Sequence, residues 1–146
     1  MKLIKKIYKG YLSIANNMQS LALLFMRLIL AYGFYKPATM KLNNIEGIAS
    51  WFEDMGLPFP LLNAYMATGT EVLGFILLAL GFGVRVIAIP LVIVMLVAIK
   101  TVHWGNGFDA GDNGFEIPLY YIAMLLVLIA QGAGKISLDH LLNKKK

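Results

Sequence analysis

The sequence predicts an all-α membrane protein, because apolar residues are abundant, fall in long blocks and leave little room for charge. Hydrophobic residues make up 59% of the 146 residues and charged residues 14%, whereas soluble domains are about 45–50% apolar. The mean hydropathy is +0.71. A soluble domain of this length needs more polar surface. We therefore expect residues 1–146 to form a single membrane domain.

Four apolar blocks predict four membrane spans. A span needs about 20 mostly apolar residues to cross a bilayer. The expected spans cover about residues 21–38, 61–80, 84–104 and 115–131. The first block follows a basic leader, but no small-residue cleavage site comes after it, so a retained helix is expected rather than a signal peptide. The predicted architecture is a four-transmembrane-helix bundle.

Two amphipathic segments add to these spans. Residues 1–17 carry an apolar stripe with lysines beside it, which predicts an N-terminal amphipathic helix on the membrane surface; a frayed basic tail is the alternative. A second apolar stripe at helical spacing consists of Ile45, Ile48, Ala49 and Phe52. It predicts an extracytoplasmic interfacial helix between the first two spans, ended by Gly56 and Pro58. The glycine-rich segment 101–114 is expected to be irregular.

The distribution of basic residues predicts the orientation. Nine of the thirteen belong to the N-terminus, the turn after the second span and the C-terminus: Lys2, Lys5, Lys6, Lys9, Arg85, Lys135, Lys144, Lys145 and Lys146. Lysine and arginine accumulate on the cytoplasmic side of membrane proteins. We expect a multi-pass protein of the bacterial inner membrane with both termini in the cytoplasm. This bias also accounts for the net charge of +5 without nucleic-acid binding.

Arg27 and Glu71 are charged residues inside apolar blocks. A charge at the centre of a span costs about 2.5–3.5 kcal/mol, so such residues pair or serve a function. Both lie nearer the cytoplasmic ends of antiparallel helices, within reach of one another. The sequence predicts an intramembrane ion pair between them. The pair would either hold the helices in register or form part of a ligand or proton site.

Polar residues at the opposite ends of the helices form a second candidate site, which we call the outer cup: Lys41, Lys100, His103, Asn113, Glu116 and Tyr120. We expect Lys41, Lys100, His103 and Glu116 to lie within one ligand's width of each other, roughly 10 Å, although charged residues at helix ends also serve as membrane anchors. Tyr120 could hydrogen-bond a quinone head group. His103 and the nearby acidic residues lack the spacing of a metal motif, so no metal site is predicted. The absence of cysteine excludes thiol redox chemistry.

Short motifs along the chain resemble the DoxX family of small bacterial membrane proteins. In chain order they are Arg27-Leu28, Lys41-Leu42, Phe52-x-x-Met55-Gly56-Leu57-Pro58-x-Pro60, Glu71-x-x-Gly74, Leu80-Gly81-x-Gly83-x-Arg85, Thr101-Val102-His103, Asn113-Gly114-Phe115-Glu116 and Gly132-Ala133-Gly134-Lys135-x-Ser137-Leu138-Asp139. Each motif is weak alone, whereas their order and spacing are specific. The likeness spans about residues 21–139. Pro37, Ala38 and the Gly74-Phe75 pair depart from the family pattern.

The resemblance implies a four-helix integral membrane protein and leaves the function open. Related proteins include the DoxD subunit of a thiosulfate:quinone oxidoreductase, and others accompany secreted redox enzymes or copper-peptide biosynthesis genes. We expect a membrane subunit of a redox or oxidative-stress system. It would bind a quinone or a thiosulfate-like oxyanion at the outer cup, or dock a partner oxidoreductase there. A small-solute or metal transporter and a non-catalytic scaffold are the alternatives.

The same reasoning covers cofactors and partners. We expect no cofactor in the chain itself, with a quinone as the bound molecule of the redox interpretation. Expected partners are the lipid bilayer, a redox enzyme subunit and further copies of the chain, with no nucleic acid. Whether the chain is itself an enzyme is left open by the sequence.

The orientation gives a first prediction. A reporter that is active only outside the cytoplasm, fused after Lys146, should be silent, because the basic residues keep the C-terminus inside. Reporter activity in whole cells is the measurement. An active fusion would mean that the number of spans or the orientation is wrong.

Overall fold

A computed structural model describes residues 2–144, and within this range the chain is helical and contains no strand. Six α-helices follow one another. They are α1 (Lys2–Asn43), α2 (Ile45–Asp54), α3 (Pro60–Leu80), α4 (Val84–Ala98), α5 (Glu116–Gln131) and α6 (Leu138–Asn143). The prediction of an all-α fold is confirmed.

Three helical stretches are long and apolar enough to cross a membrane: Ile7–Asn43, Pro60–Leu80 and Val84–Asn106. The fourth apolar helix, α5, has 16 residues. At about 1.5 Å per residue it is about 24 Å long, which is less than the roughly 30 Å of a hydrocarbon core. The chain is therefore a membrane protein with three to four apolar helices, and the fourth span stays a prediction.

The N-terminal amphipathic helix and the first span are one continuous helix in the structure. The prediction of a separate helix over residues 1–17 is wrong, because α1 runs from Lys2 to Asn43 without a break. The physical reason is visible in the sequence. Between Gly10 and Gly33 there is no glycine or proline to interrupt the helix. The change from basic to apolar composition alters what surrounds the helix and leaves its backbone unaffected. The side chains of residues 1–3, 5, 6, 16, 17, 145 and 146 lie outside the described part of the chain.

Helix α2 occupies the segment in which an interfacial helix is expected. Asn44 caps it, its side-chain oxygen accepting a hydrogen bond from the N–H of Gly47 at 3.1 Å. Phe52 is buried, and α2 packs against α3. Gly56 follows with a φ of +73°, and this left-handed conformation turns the chain away from the axis of α2. The position of α2 outside the cytoplasm remains a prediction.

The segment after α4 is partly helical, where the sequence predicts an irregular loop. A π-helical turn covers Ile99–His103, and short 3₁₀ turns cover Trp104–Asn106 and Ala110–Asp112. Such turns satisfy backbone groups near the membrane while changing the chain direction. This segment leads into α5 and positions His103 beside its start.

Among the four longest helices, each packs against the next along the chain: α1 against α3, α3 against α4 and α4 against α5. We call the end of the bundle that contains the 81–83 turn the near end, and the end that contains His103 the far end. Apolar side chains between the helices form the core, and the fully buried ones include Leu30, Leu78, Val84, Ala88, Leu91, Leu125 and Leu128.

The turn between α3 and α4 gives a prediction with a matched control. Gly81 and Gly83 both have positive φ, but a Cβ at Gly81 would lie 1.9 Å from Nη1 of Arg27, whereas a Cβ at Gly83 meets open space. Gly83→Ala should therefore cost only the conformational penalty of about 1–2 kcal/mol. Gly81→Ala should cost a further 1–3 kcal/mol, roughly, through overpacking.

Thermal unfolding of both variants in one detergent is the measurement. Equal losses of stability in the two variants would show that Arg27 does not press against this turn.

Candidate functional site

A buried ion pair between α1 and α3 is the first polar feature of the bundle. Oε1 of Glu71 lies 2.6 Å from Nζ of Lys41, and these side chains are 2% and 18% exposed. This is the one ion pair among the side chains that the structure describes. The predicted pairing of Arg27 with Glu71 is therefore wrong, and Lys41 belongs to this inner pair.

Side-chain direction explains the difference. Side chains on an α-helix lean towards its N-terminus. Lys41 is near the C-terminal end of α1, so its side chain extends back into the bundle towards Glu71. Arg27, about four turns earlier, leans towards the near end and away from Glu71. The prediction counted residues along the two helices. Such a count gives the depth of each Cα in the bundle but not the direction in which its side chain extends.

The inner pair leaves polar atoms without partners. Oε2 of Glu71 and Oγ1 of Thr68 are buried, and neither has a hydrogen-bond partner among the described residues. Thr68 lies three residues before Glu71 and so shares its face of α3. An unpaired polar atom in a protein interior costs about 1–3 kcal/mol. A water molecule or a proton on the carboxyl group would relieve that cost.

Arg27 holds the near end together. Its side chain is 1% exposed. It donates hydrogen bonds to the backbone oxygens of Leu78, at 3.3 Å, and Ile136. Leu78 belongs to the last turn of α3, where carbonyl groups lack helical partners and a cation is favourable. Arg27 thus joins α1, α3 and the segment after α5, which is a structural task.

The residues of the outer cup fall into separate groups. Nδ1 of His103 lies 2.8 Å from the backbone oxygen of Asn113. Glu116 accepts a hydrogen bond from the hydroxyl of Tyr120 at 3.0 Å and another from the N–H of Ala110 at 3.0 Å. Lys100 is exposed and makes no side-chain hydrogen bond within the described chain. Since Lys41 contacts Glu71, no direct contact joins all six, and their convergence on one ligand stays a prediction.

A cavity at the far end, of about 240 Å³, contains two of these residues and several others. We call it the far-end cavity. His103, Asn113 and Tyr121 provide its polar groups, and Met95, Ile117 and Pro118 are among its apolar lining. It therefore combines an apolar wall with a few hydrogen-bonding groups, which is the usual composition of a ligand site.

Tyr121 is the residue of this site that the sequence reasoning missed. Its hydroxyl packs against Gly33, where a Cβ would come within 1.9 Å of it. Tyr120 lies on the outside and is 47% exposed. The spacing of the buried residues of α5 could have indicated that Tyr121 faces the bundle. Pro118, Leu125 and Leu128 are buried, and Tyr121 continues that face at i+3 from Pro118.

Among the described residues that line the far-end cavity there is no lysine, arginine or carboxylate side chain. A backbone oxygen only accepts, so Nδ1 of His103 carries the proton in its contact with Asn113. In the neutral imidazole Nε2 is then an acceptor. The Tyr121 hydroxyl has no hydrogen-bond partner among the described residues. Within residues 2–144 no three histidine or acidic side chains lie close enough together to hold a metal ion.

Comparisons with known proteins agree on the kind of protein and leave its activity open. A family model described as DoxX matches residues 22–104. An uncharacterized protein of Haemophilus influenzae is 37% identical over 127 residues, which cover 84% of this chain and 84% of that protein. A second uncharacterized protein of the same organism is 32% identical over 126 residues, covering 84% of this chain and 92% of its own length. No solved structure matches the chain.

The inner pair predicts an asymmetric double-mutant cycle. Lys41→Met should lower the free energy of unfolding by about 3–5 kcal/mol, because it leaves the Glu71 carboxylate buried without a partner. Glu71→Leu should cost less, since the partly exposed lysine can move its charge towards the interface. The double variant should regain much of the stability, as measured by denaturant unfolding in detergent.

The control cycle replaces Lys41→Met with Arg27→Met. Because Arg27 contacts backbone oxygens instead of Glu71, its variant should add independently to Glu71→Leu. Strong coupling of Arg27 with Glu71 and weak coupling of Lys41 with Glu71 would contradict the pairing.

Proposed function

Because the chain belongs to the DoxX family of membrane proteins, we propose that it is the membrane subunit of a redox system and binds a quinone head group in the far-end cavity. The observation that carries this proposal is that His103 and Tyr121 both line a cavity of about 240 Å³ whose wall is otherwise largely apolar. A quinone ring is flat and apolar and carries two carbonyl acceptors. Its carbonyl suits the Tyr121 hydroxyl, which can donate a hydrogen bond, and the hydroxyl of its quinol form suits the acceptor Nε2 of His103.

The charges of the inner pair favour a quinone over a thiosulfate-like oxyanion. An oxyanion needs uncompensated cations around it. Lys41 is neutralised by Glu71 at 2.6 Å, and Lys100 does not line the cavity. Without these lysines the cavity has no permanent positive charge, so a neutral ligand fits its electrostatics better than an anion.

The two polar side chains have distinct roles in this proposal. Reduction of a quinone takes two electrons and two protons, and oxidation of the quinol releases them. Nε2 of His103 accepts a hydrogen bond from a hydroxyl of the quinol, because Nδ1 is engaged with the backbone oxygen of Asn113. The Tyr121 hydroxyl donates to a carbonyl of the quinone. The electrons come from a partner oxidoreductase, consistent with a chain that has no cysteine.

The proposal includes the expected orientation. Four spans with both termini in the cytoplasm would place the far end at the outer surface of the inner membrane. A secreted or membrane-bound oxidoreductase would then dock at that surface, beside the quinone. Further copies of the chain could assemble around the same partner.

A transporter is the second candidate, and the inner pair is the observation that favours it. Glu71 is buried with one carboxylate oxygen unpartnered, beside the unpartnered hydroxyl of Thr68. Intramembrane carboxyl groups of this kind occur in proton and ion pathways. Flux into proteoliposomes that is lost in Glu71→Gln, while quinone binding is unchanged, would support this candidate over the first.

Quinone binding can be tested with adjacent tyrosines as a matched pair. Tyr121→Phe should weaken binding of a water-soluble quinone about fivefold, and His103→Gln should weaken binding of its quinol by about as much, because one hydrogen bond is worth about 1 kcal/mol. Tyr120→Phe should leave it unchanged, since that hydroxyl bonds Glu116 outside the cavity. Quenching of Trp104 fluorescence is a suitable readout, as Trp104 stacks on Phe115 just before α5.

A Trp104→Phe variant shows which part of the signal comes from this residue rather than from Trp51. Unchanged affinity in both Tyr121→Phe and His103→Gln, or displacement of the quinone by thiosulfate, would contradict the proposal.

A further inference from the structure

We propose that a second cavity, at the near end of the bundle, binds the phosphate group of an anionic membrane lipid. This near-end cavity has a volume of about 440 Å³ and is separate from the far-end cavity. Its basic lining residues are Arg85 and Lys135, and Leu23 and Val86 are among its apolar ones. The inference concerns a different ligand and does not depend on quinone binding.

The cavity is built by the segment that follows α5. This segment folds back over α1 at Gln19 and Ser20 and over the start of α4, and hydrogen bonds hold it there. The side-chain amide of Gln19 donates to that of Gln131 at 2.8 Å, and the N–H of Lys135 donates to the hydroxyl of Ser20 at 3.3 Å. The N–H of Asp139 donates to the oxygen of Gly81 at 3.0 Å. The cavity is therefore a built feature of the fold, with walls from four parts of the chain.

Within the described part of the chain, Arg85 and Lys135 of this cavity form no ion pair. All eight acidic side chains of the sequence belong to the described part of the chain, and none of them forms an ion pair with Arg85 or Lys135. One guanidinium nitrogen of Arg85 donates to the backbone oxygen of Ala130 at 3.1 Å. Its other N–H groups remain available, and an arginine fork matches the geometry of a phosphate.

Asp139 also lines the cavity, but its charge is already engaged. Its carboxylate accepts hydrogen bonds from the N–H groups of Gly83, at 2.8 Å, and Val84, at 3.3 Å, at the start of α4. The positive end of that helix and the nearby charge of Arg27 both compensate it. The cavity thus keeps an excess of positive charge, and the side chains of His140 and Asn143 add further hydrogen-bonding groups.

The position of the cavity favours a lipid as the source of the phosphate. Arg85 is the second residue of α4, and Val86 follows it into the apolar part of the helix. A lipid phosphate lies at the same boundary, with its acyl chains alongside the apolar helix surface. Basic pockets beside membrane helices on the cytoplasmic side recognise lipid head groups in this way. A free phosphate has no apolar group to contact Leu23 and Val86, whereas the acyl chains of a lipid do.

The test measures thermal stabilisation of the purified protein in a neutral detergent, with phosphatidylglycerol, phosphatidylcholine or inorganic phosphate added. Phosphatidylglycerol should raise the melting temperature and phosphatidylcholine should not. The double variant R85Q/K135Q should bind phosphatidylglycerol at least tenfold more weakly. The control K36Q/K100Q removes the same number of positive charges from the other half of the bundle and should respond like the wild type.

The outcomes separate the possible causes. Should R85Q/K135Q be too unstable to purify, Arg85→Lys keeps the charge and should retain most of the shift, whereas Arg85→Gln alone should lose part of it. An unchanged response of R85Q/K135Q, or an equal loss in K36Q/K100Q, overturns the site. Equal stabilisation by inorganic phosphate at the same concentration overturns the assignment to a lipid.

Discussion

A charge inside an apolar helix must find a partner there, and two such charges organise this protein. Glu71 is buried on α3 and meets Lys41 of α1, whereas Arg27 is buried on α1 and meets the backbone oxygens of Leu78 and Ile136. Each arrangement offsets the large desolvation cost of a buried ion. The first sets how α1 lies along α3. The second holds the turn after α3 and the segment after α5 against α1.

The two arrangements, Arg27 with backbone oxygens and Glu71 with Lys41, differ in which buried polar atoms remain without a hydrogen-bond partner. Arg27 donates from its two Nη atoms to two backbone carbonyls, and of its nitrogens only Nε lacks a hydrogen-bond partner among the described residues. The inner pair leaves one oxygen of Glu71 and the hydroxyl of Thr68 without one. A structure optimised only for stability would replace such a pair with apolar side chains, often at little cost. The unsatisfied atoms are therefore the reason to consider a proton or ion pathway beside the structural role.

The same partner choices determine the chemistry of the two ends. Lys41 turns inward to Glu71 and does not line the far-end cavity, whose polar side chains include those of His103 and Tyr121. Asp139 lines the near-end cavity but accepts hydrogen bonds from the start of α4, and it forms no ion pair with Arg85 or Lys135. This difference in lining is the basis of the two proposals, a neutral aromatic ligand at the far end and an anionic head group at the near end. Membership of the DoxX family and the uncharacterized relatives are compatible with this division, and they assign no ligand.

The sequence by itself determined the all-α membrane class, the family, the apolar helices and the presence of charges inside them, because hydrophobic block length and composition act locally along the chain. It also located the helix now seen at Ile45–Asp54, through its apolar period and the Gly56 and Pro58 that follow it. It did not show that α1 is continuous from Lys2, since the change in composition suggested a boundary where the backbone has none.

Only the tertiary structure decided which charges meet and which tyrosine faces the bundle. Lys41, Arg27 and Glu71 lie on two helices, and their pairing depends on the direction in which each side chain leans and on how the helices are offset. Tyr120 and Tyr121 are neighbours in sequence, yet about 100° of helical rotation puts one outside and the other against Gly33. Such choices depend on packing between distant segments, which no local pattern records.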